Sequence, residues 1–328
     1  MHKRNYLNDL IRIAAMFLVI GVHWVGSIET NCPNVAFDSI LTCGLDKLNS
    51  LGVPVFFALS GYYLLAEEHD DILAFYRGRF KRVIIPYLIY AVIYVTYFVG
   101  IEQHTPEKIP LMYVVDLLTA NVHGTHWFVY SILGLYLATP FLAKMFSRLR
   151  DSEVAILFGV GLSLGIAGNI ARIFGYDFGI SDYTFTGNLL CYISGYCMNR
   201  LSGSPGMRLV LKYKWIICAG LYILICISGF SSLYTAIAGL ILAGNKDFEP
   251  APVTGRIITV MSEYSYTTYL IHAAVISLIL RLYRNWTDNY VLKLIAGYFI
   301  VYSLSFCIVF VIDNTVTRRI VNAVSDKE

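Results

Sequence analysis

Long apolar runs separated by short polar connections make up most of this chain. A helix needs about 20 apolar residues to cross a bilayer, and the runs therefore predict ten membrane-spanning helices. Helices are the expected form, because no strand-length alternation recurs and backbone polar groups must be satisfied locally in lipid. The ten predicted spans are residues 9–28, 50–66, 83–101, 125–146, 153–172, 183–199, 213–229, 231–244, 257–281 and 291–313.

The composition is that of a membrane protein rather than a soluble domain. Of the 328 residues, 57% are hydrophobic and 14% are charged, whereas soluble domains carry about 25% charged residues. A net charge of +3 is too small to indicate nucleic-acid binding. The connections are too short for a second folded domain, so we predict an all-α integral membrane bundle that forms one domain over residues 1–328.

Lysine and arginine residues in the connections set the predicted orientation. With ten spans, 18 of them fall on the side that holds both termini and 6 on the other side, and Arg12 lies within a span. Positively charged connections are retained in the cytoplasm, so both termini are predicted to be cytoplasmic. The loop that contains Cys32 and Cys43 would then face outwards, where a disulfide could form. The cysteines show no metal-ligand spacing, and we expect no metal site.

Two ionisable residues, Arg12 and His23, interrupt the first apolar run, and burying such residues in lipid costs free energy. They are eleven positions apart, so they share one face of a helix at a separation of roughly 16 Å along its axis. Ionisable residues in a span usually face the bundle interior or a wet cavity. The alternatives are an arginine that extends to the headgroups and a histidine that only bonds a neighbouring helix. The shared face favours a polar track along the first helix.

The second span and the start of the third contain further candidates. Ser60 precedes Gly61, and close helix packing explains this pair better than a catalytic serine, since no histidine or acid stands beside it. Four basic residues within 77–82 precede the third span. One explanation of this cluster is that it lies at the cytoplasmic end of the third span, where basic residues are expected. The other is that it binds phosphate, in which case Arg79 and Arg82 would share one face of a helix.

Two polar groups lie at the fourth and ninth predicted spans. His126 stands beside Trp127 at the start of the fourth span, where it is either an interfacial belt residue or part of an external substrate cleft. In the ninth span, Ser265, Tyr269 and His272 follow i, i+4, i+7 spacing and share a face. This second polar track favours a wet channel inside the bundle.

Together these features resemble the acyltransferase-3 family of bacterial membrane O-acyltransferases. The resemblance extends from the first predicted span to the ninth. Its landmarks are Asp9-Leu10-Ile11-Arg12, the spacing from Arg12 to His23, Phe56-Phe57-Ala58-Leu59-Ser60-Gly61-Tyr62, Arg79 and Arg82 before Ile85-Pro86-Tyr87, His126-Trp127-Phe128, Tyr136-Leu137-Ala138-Thr139-Pro140, and Ser265-Tyr266 with Tyr269 and His272.

The resemblance implies a ten-helix bundle in the bacterial plasma membrane. It would move an acyl group, usually acetyl, from cytoplasmic acyl-CoA to a hydroxyl of an extracytoplasmic glycan or related acceptor, with no tightly bound cofactor. His23 would be the catalytic histidine, as a general base or as a transient acyl carrier. Arg12, paired with Asp9, would line the same cavity as a second catalytic residue. The remaining predicted site residues are Arg79 and Arg82 for the CoA phosphates, and Ser60, His126, Tyr269 and His272 as cavity lining.

A transporter is the alternative function, because polar tracks along two spans also suit a permeation path. A related membrane module precedes the racemase domain of vancomycin-resistance serine racemases, where serine uptake is the proposed role. A purely structural or partner-binding subunit is less consistent with an arginine and a histidine buried in one span. A binding measurement with acyl-CoA distinguishes the two hypotheses, because the enzyme is expected to bind acyl-CoA and the transporter is not.

Overall fold

The computed structural model describes residues 4–31, 39–176, 186–283 and 289–325, and every regular element in these ranges is helical. The first eight helices are α1 Tyr6–Asn31, α2 Ser39–Asn49, α3 Gly52–Leu64, α4 Ile72–Arg79, α5 Ile85–Val95, α6 Ile109–Leu118, α7 Trp127–Arg148 and α8 Asp151–Ile173. The others are α9 Asn188–Arg200, α10 Pro205–Lys212, α11 Lys214–Ser228, α12 Leu233–Leu242, α13 Pro252–Glu263, α14 Ser265–Tyr283, α15 Tyr290–Ile312 and α16 Arg318–Ser325. The hypothesis of a disulfide between Cys32 and Cys43 involves Cys32, which lies outside the described residues.

Six helical stretches in the described part of the chain are long and apolar enough to cross a membrane. They are Tyr6–Thr30, Ile72–Ile101, Gly124–Arg148, Asp151–Ile173, Ser265–Leu282 and Val291–Val324. Helices α10 and α11 meet at an angle of 74° and would add a seventh span if they cross together. An all-α multi-pass membrane protein is therefore confirmed, while the count of ten spans and the cytoplasmic termini stay predictions.

Three predicted spans coincide with shorter helices. The segment 50–66 contains α3 and the segment 183–199 overlaps α9, each of 13 residues, and 231–244 contains α12, of 10 residues. At 1.5 Å per residue these helices are about 15–20 Å long, less than the roughly 30 Å of a hydrocarbon core. Apolar composition alone therefore does not separate a full span from a short buried helix.

The ninth predicted span, 257–281, is wrong as a single helix. The structure divides it at Tyr264, between α13 and α14. Hydroxyl side chains surround the break, and Thr267 Oγ1 donates to the Tyr264 carbonyl over 3.2 Å. The same carbonyl also accepts from the Thr268 backbone N–H over 2.9 Å, so the hydroxyl bond adds to the first helical bond of α14. An apolar pattern alone does not locate this break.

The chain forms two compact units. The first comprises Met1–Val22, Asp38–Asp70 and Ala138–Ser262, and the second comprises His23–Phe37, Asp71–Leu137 and Glu263–Glu328. The single domain over residues 1–328 stays a prediction.

The first unit is built around the contact of α3 with α9 and α12. A Cβ added to Gly61 would clash with the Tyr192 carbonyl oxygen, and one added to Gly195 would clash with the Ala58 carbonyl oxygen. The two backbones can approach this closely because both positions lack a side chain. The small-residue interpretation of the Ser60–Gly61 pair agrees with this contact.

The second unit is built around α5, α14 and α15. Helix α14 packs against α15 and α5, and π-helical turns at Phe80–Ile84 and Thr96–Glu102 flank α5. The buried Asp313 carboxylate accepts hydroxyl donors from Tyr90 at 3.1 Å, Thr267 at 2.7 Å and Thr317 at 2.8 Å. These bonds join three helical segments through one carboxylate.

The close approach of α3 and α9 predicts a selective effect of glycine substitution. Gly61→Ala should destabilise the protein by on the order of 3 kcal/mol, because the new Cβ would meet rigid backbone. Gly220→Ala is the matched control, since Gly220 lies in α11 and a Cβ added there would have no neighbouring atom within 4 Å. This control should leave stability unchanged or slightly raised. Thermal unfolding in detergent measures both, and equal unfolding temperatures for the two variants would contradict the packing.

Candidate active site

In the first unit, a buried carboxylate gathers the polar side chains at the start of α1. Asp9 is 5% exposed. It accepts from Arg4 Nε at 2.5 Å, from Arg12 at 3.3 Å and from Ser262 Oγ at 2.6 Å. Arg12 also donates to Ser262 Oγ over 3.0 Å. The predicted pairing of Asp9 with Arg12 is present as an i, i+3 ion pair.

The hydrogen bonds and ion pairs of this cluster offset the free-energy cost of placing Arg12 in a membrane span. A buried carboxylate is tolerated when cations and hydrogen-bond donors compensate it. Because Asp9 and Ser262 hold the Arg12 guanidinium, extension of its side chain to the headgroups is not needed to explain it.

In the second unit, a polar cavity of about 410 Å³ lies beside His23. Its lining residues come from α1, from the segment before α7 and from α14: His23, Ser27, His123, Thr125, Ala273, Ile276, Ser277, Leu280 and Arg281. His23 and Ser27 are one turn apart on α1, and the α14 residues follow helical spacing along one face. Arg12 and Ser60 belong to the first unit and are not among these lining residues.

His123 is held in one orientation by Thr125. The Thr125 backbone N–H donates to His123 Nδ1 over 3.3 Å, and Thr125 Oγ1 lies 2.9 Å from the same nitrogen. Because Nδ1 accepts from the backbone, the proton of the neutral ring is assigned to Nε2. Burial lowers the pKa of His123 below its ordinary value, so the ring is neutral at pH 7 and offers an N–H donor.

Two further histidines, His126 and His272, are fully buried, and each bonds a backbone carbonyl of α14, the helix to which His272 itself belongs. His272 Nδ1 donates to the Tyr269 carbonyl over 2.5 Å, and His126 Nε2 donates to the Leu270 carbonyl over 3.1 Å. Since a carbonyl only accepts, the other nitrogen of each neutral ring is unprotonated. His272 Nε2 and His126 Nδ1 have no hydrogen-bond partner in the described part of the chain. Buried polar atoms of this kind are rare and suggest a functional role.

Aromatic rings pack these histidines into one cluster. The ring centroids of His23 and His272 are 5.1 Å apart, and Tyr269 stacks on His272 at 5.6 Å. Tyr94 lies 4.6 Å from His126 by the same measure. The structure thus brings together four predicted site residues, namely His23, His126, Tyr269 and His272. The full burial of His126 also excludes an interfacial belt position for its side chain.

Sequence reasoning missed five polar residues of the cavity, namely Ser27, His123, Thr125, Ser277 and Arg281. The spacing His123-Gly124-Thr125-His126 was an available signal, since it places two histidines within one helical turn of each other. Ser27 follows His23 by four positions, and Arg281 ends the same apolar helix as His272. Within the described residues, no three His, Cys, Asp or Glu side chains are grouped to hold a metal ion.

The second unit also contains a basic groove of about 550 Å³. The Arg79 guanidinium carbon lies 5.4 Å from the Phe75 ring centroid and 5.6 Å from that of Tyr136. Cation–π contacts of this kind hold a guanidinium in place. The residues that line the groove are Tyr76, Arg77, Arg79, Phe80, Lys81, Ile84, Leu133, Tyr136, Leu137 and Val324.

Arg82 is exposed and is not among the lining residues of the groove. The expectation that Arg79 and Arg82 share a face assumed an α-helix. A π-helical turn at Phe80–Ile84 intervenes, and its i to i+5 bonds widen the turn. Residues three apart no longer lie above one another, and Lys81 lines the groove instead.

Comparison with known proteins identifies the family. The model of the acyltransferase-3 family, described as an acyltransferase domain, matches residues 5–313. The chain therefore belongs to this family and is a membrane acyltransferase. No curated protein and no solved structure is significantly similar to it.

The ion cluster of the first unit predicts that substitution of two different aspartates lowers the free energy of unfolding by unequal amounts. Asp9→Ala should destabilise the protein by about 3 kcal/mol, because it leaves partly buried guanidinium groups without their carboxylate. Asp151→Ala is the control: Asp151 pairs with Arg200 over 2.9 Å, but its side chain is 66% exposed, and such surface pairs contribute at most about 1 kcal/mol. Chemical or thermal unfolding compares them, and a loss for Asp151→Ala as large as for Asp9→Ala would argue against the cluster.

Proposed function

We propose that this protein is an O-acyltransferase of the bacterial plasma membrane. It transfers an acyl group, acetyl in the first instance, from cytoplasmic acyl-CoA to a hydroxyl of an extracytoplasmic glycan. The observation that carries the proposal is the cavity lined by His23 and His123, since these two side chains offer a base and a hydrogen-bond donor to one bound group. The membrane acyltransferase family supports the reaction class.

His23 is the proposed general base. None of the nine residues that line the described cavity is Asp or Glu, so histidine is the side chain there that can take a proton at neutral pH. In the proposed step, the acceptor hydroxyl gives its proton to His23 while its oxygen bonds to the thioester carbonyl carbon. The C–S bond then breaks, and the proton passes from His23 to the departing CoA sulfur.

His272 is proposed to orient His23. Its Nε2 is an unprotonated acceptor without a partner among the described residues, in a ring whose centroid lies 5.1 Å from that of His23. A small rotation would let an N–H of His23 donate to this nitrogen. The other nitrogen of His23 would then be unprotonated and available to the acceptor hydroxyl, as in the base-and-orienter arrangement of hydrolase triads.

His123 is proposed to stabilise the negative charge that develops on the carbonyl oxygen. Its tautomer, set by the Thr125 backbone N–H, makes Nε2 a donor. A fixed donor of this kind contributes most when the oxyanion forms, and removal of one typically costs about 10²–10³ in rate.

The basic groove is the proposed site for the CoA phosphates. Arg79, fixed between two rings, and Lys81 offer guanidinium and ammonium groups to phosphate oxygens. From Arg79 to Tyr94, which contacts His126, the chain runs about fifteen residues, or about 22 Å of helix. The extended pantetheine arm of CoA can cover much of such a length, which supports a thioester that reaches the histidine cluster from the groove.

The base assignment predicts the effect of histidine substitutions on acyl transfer. His23→Ala should abolish transfer, and His123→Phe should lower kcat about 100-fold because it removes the oxyanion donor. His123→Gln keeps an N–H donor and should recover part of the rate. The measurement is transfer of labelled acetyl from acetyl-CoA to envelope glycans by the protein in proteoliposomes.

His69→Gln is the control for these variants, because His69 lies in the first unit, where its Nε2 bonds the Leu64 carbonyl over 2.8 Å. It should retain wild-type transfer. Full activity of His23→Ala would refute the base, and equal loss in His123→Phe and His123→Gln would refute the donor role of His123.

The groove predicts that Arg79 and Arg82 differ in donor binding. Arg79→Gln should raise the KM for acyl-CoA about tenfold, equivalent to about 1.4 kcal/mol of lost binding, with kcat nearly unchanged. Arg82→Gln, which removes an exposed charge outside the groove, should change KM less than about twofold. Equilibrium binding of labelled acyl-CoA gives a second measurement, and equal weakening by the two substitutions would contradict the groove.

A further inference from the structure

The cavity beside His23 has a permanent positive charge at some distance from the histidines. Arg281 lines it together with His23 and His123. Along α14, Arg281 is nine positions after His272, the residue that contacts His23, and this spacing corresponds to about 13 Å. The cavity therefore has a histidine end and an arginine end.

We infer that the acceptor carries an anionic group, a carboxylate or a phosphate, which Arg281 binds while the hydroxyl to be acylated lies at His23. The inference rests on the proposed function, since it names the class of acceptor for that reaction. In such an acceptor the charge and the reacting hydroxyl would lie at opposite ends.

The charges of the lining favour an anion. Arg281 is the one permanently charged residue among the nine that line the described cavity, and the others are histidines, hydroxyl residues and apolar residues. A guanidinium binds carboxylate or phosphate through two parallel N–H donors.

The position of Arg281 is fixed by an aromatic contact. Its guanidinium carbon lies 5.7 Å from the ring centroid of Tyr97, a residue of the π-helical turn after α5. A cation–π contact engages the face of a guanidinium, whereas the N–H donors that bind oxygen atoms lie at its edge. Such a side chain can select an acceptor by charge without taking part in the chemistry.

A simpler role for Arg281 is the stabilisation of a helix terminus, because it lies in the last turn of α14 and cations there interact favourably with the helix dipole. Arg172 also lies in the last turn of its helix, α8, is exposed, and does not line the cavity. It is therefore the matched control, since both arginines serve a helix terminus and one of them faces the cavity.

The experiment uses envelope glycans of the host cell, separated by anion exchange into neutral and anionic fractions. Wild-type protein in proteoliposomes with labelled acetyl-CoA should label the anionic fraction at least about tenfold more than the neutral one. Treatment of the product with phosphatase or mild acid distinguishes the sources, because it releases the charge of a phosphate but leaves a uronic acid carboxylate intact.

Arg281→Gln should raise the KM for the anionic fraction about tenfold with kcat nearly unchanged, and Arg281→Lys should recover part of the affinity. Arg172→Gln should behave as wild type. Preferential labelling of the neutral fraction would overturn the inference. So would an Arg281→Gln variant whose loss is the same on both fractions, or whose loss tracks a lower unfolding temperature shared with Arg172→Gln.

Failure of the proposed function gives a different result. If the protein binds no acyl-CoA and labels neither fraction, the proposed acyl transfer is refuted, and the proposed acceptor class is refuted as well. If acyl transfer occurs with no preference for charge, the proposed function stands and only the role of Arg281 is refuted.

Discussion

Two carbonyls of α14 fix the buried histidines that pack against the cavity residues His23 and His123. The Tyr269 and Leu270 carbonyls each accept a ring N–H, from His272 and His126. A backbone carbonyl has two lone pairs, so it can accept these bonds without giving up its place in the helix. The bonds determine which nitrogen of each ring carries the proton, and they leave an unprotonated nitrogen in each of these two buried rings.

The rest of the second unit keeps polar groups inside an apolar bundle at low cost. Tyrosine rings pack against the histidines, and the Asp313 carboxylate accepts three hydroxyl donors from different helical segments. Each buried polar atom that is satisfied in this way avoids a penalty of several kcal/mol in lipid. The ring nitrogens of His126 and His272 are two of several buried polar atoms that lack a partner among the described residues, and both belong to the cluster that contains His23.

The sequence anticipated much of this architecture, though unevenly. The cost of an ionisable residue in an apolar run identified Arg12, His23 and His272, and the Asp9–Arg12 pair followed from helical spacing. The expectation that Arg79 and Arg82 share one helix face was wrong, because a π-helical turn changes the angular spacing of the residues between them. His123 was missed because it lies outside the apolar runs, where a histidine carries no penalty and so attracts no notice.

The sequence by itself determined that this is a helical membrane protein and which residues are costly within its helices, because both follow from local transfer energies and helical periodicity. Only the tertiary structure decided which helices are short, where the ninth segment breaks, and which side chains share a cavity with His23. Those features depend on contacts between residues such as Gly61 and Tyr192, or His23 and His272, that are far apart in the chain. Pattern and spacing describe one helix at a time and carry no information about its neighbours.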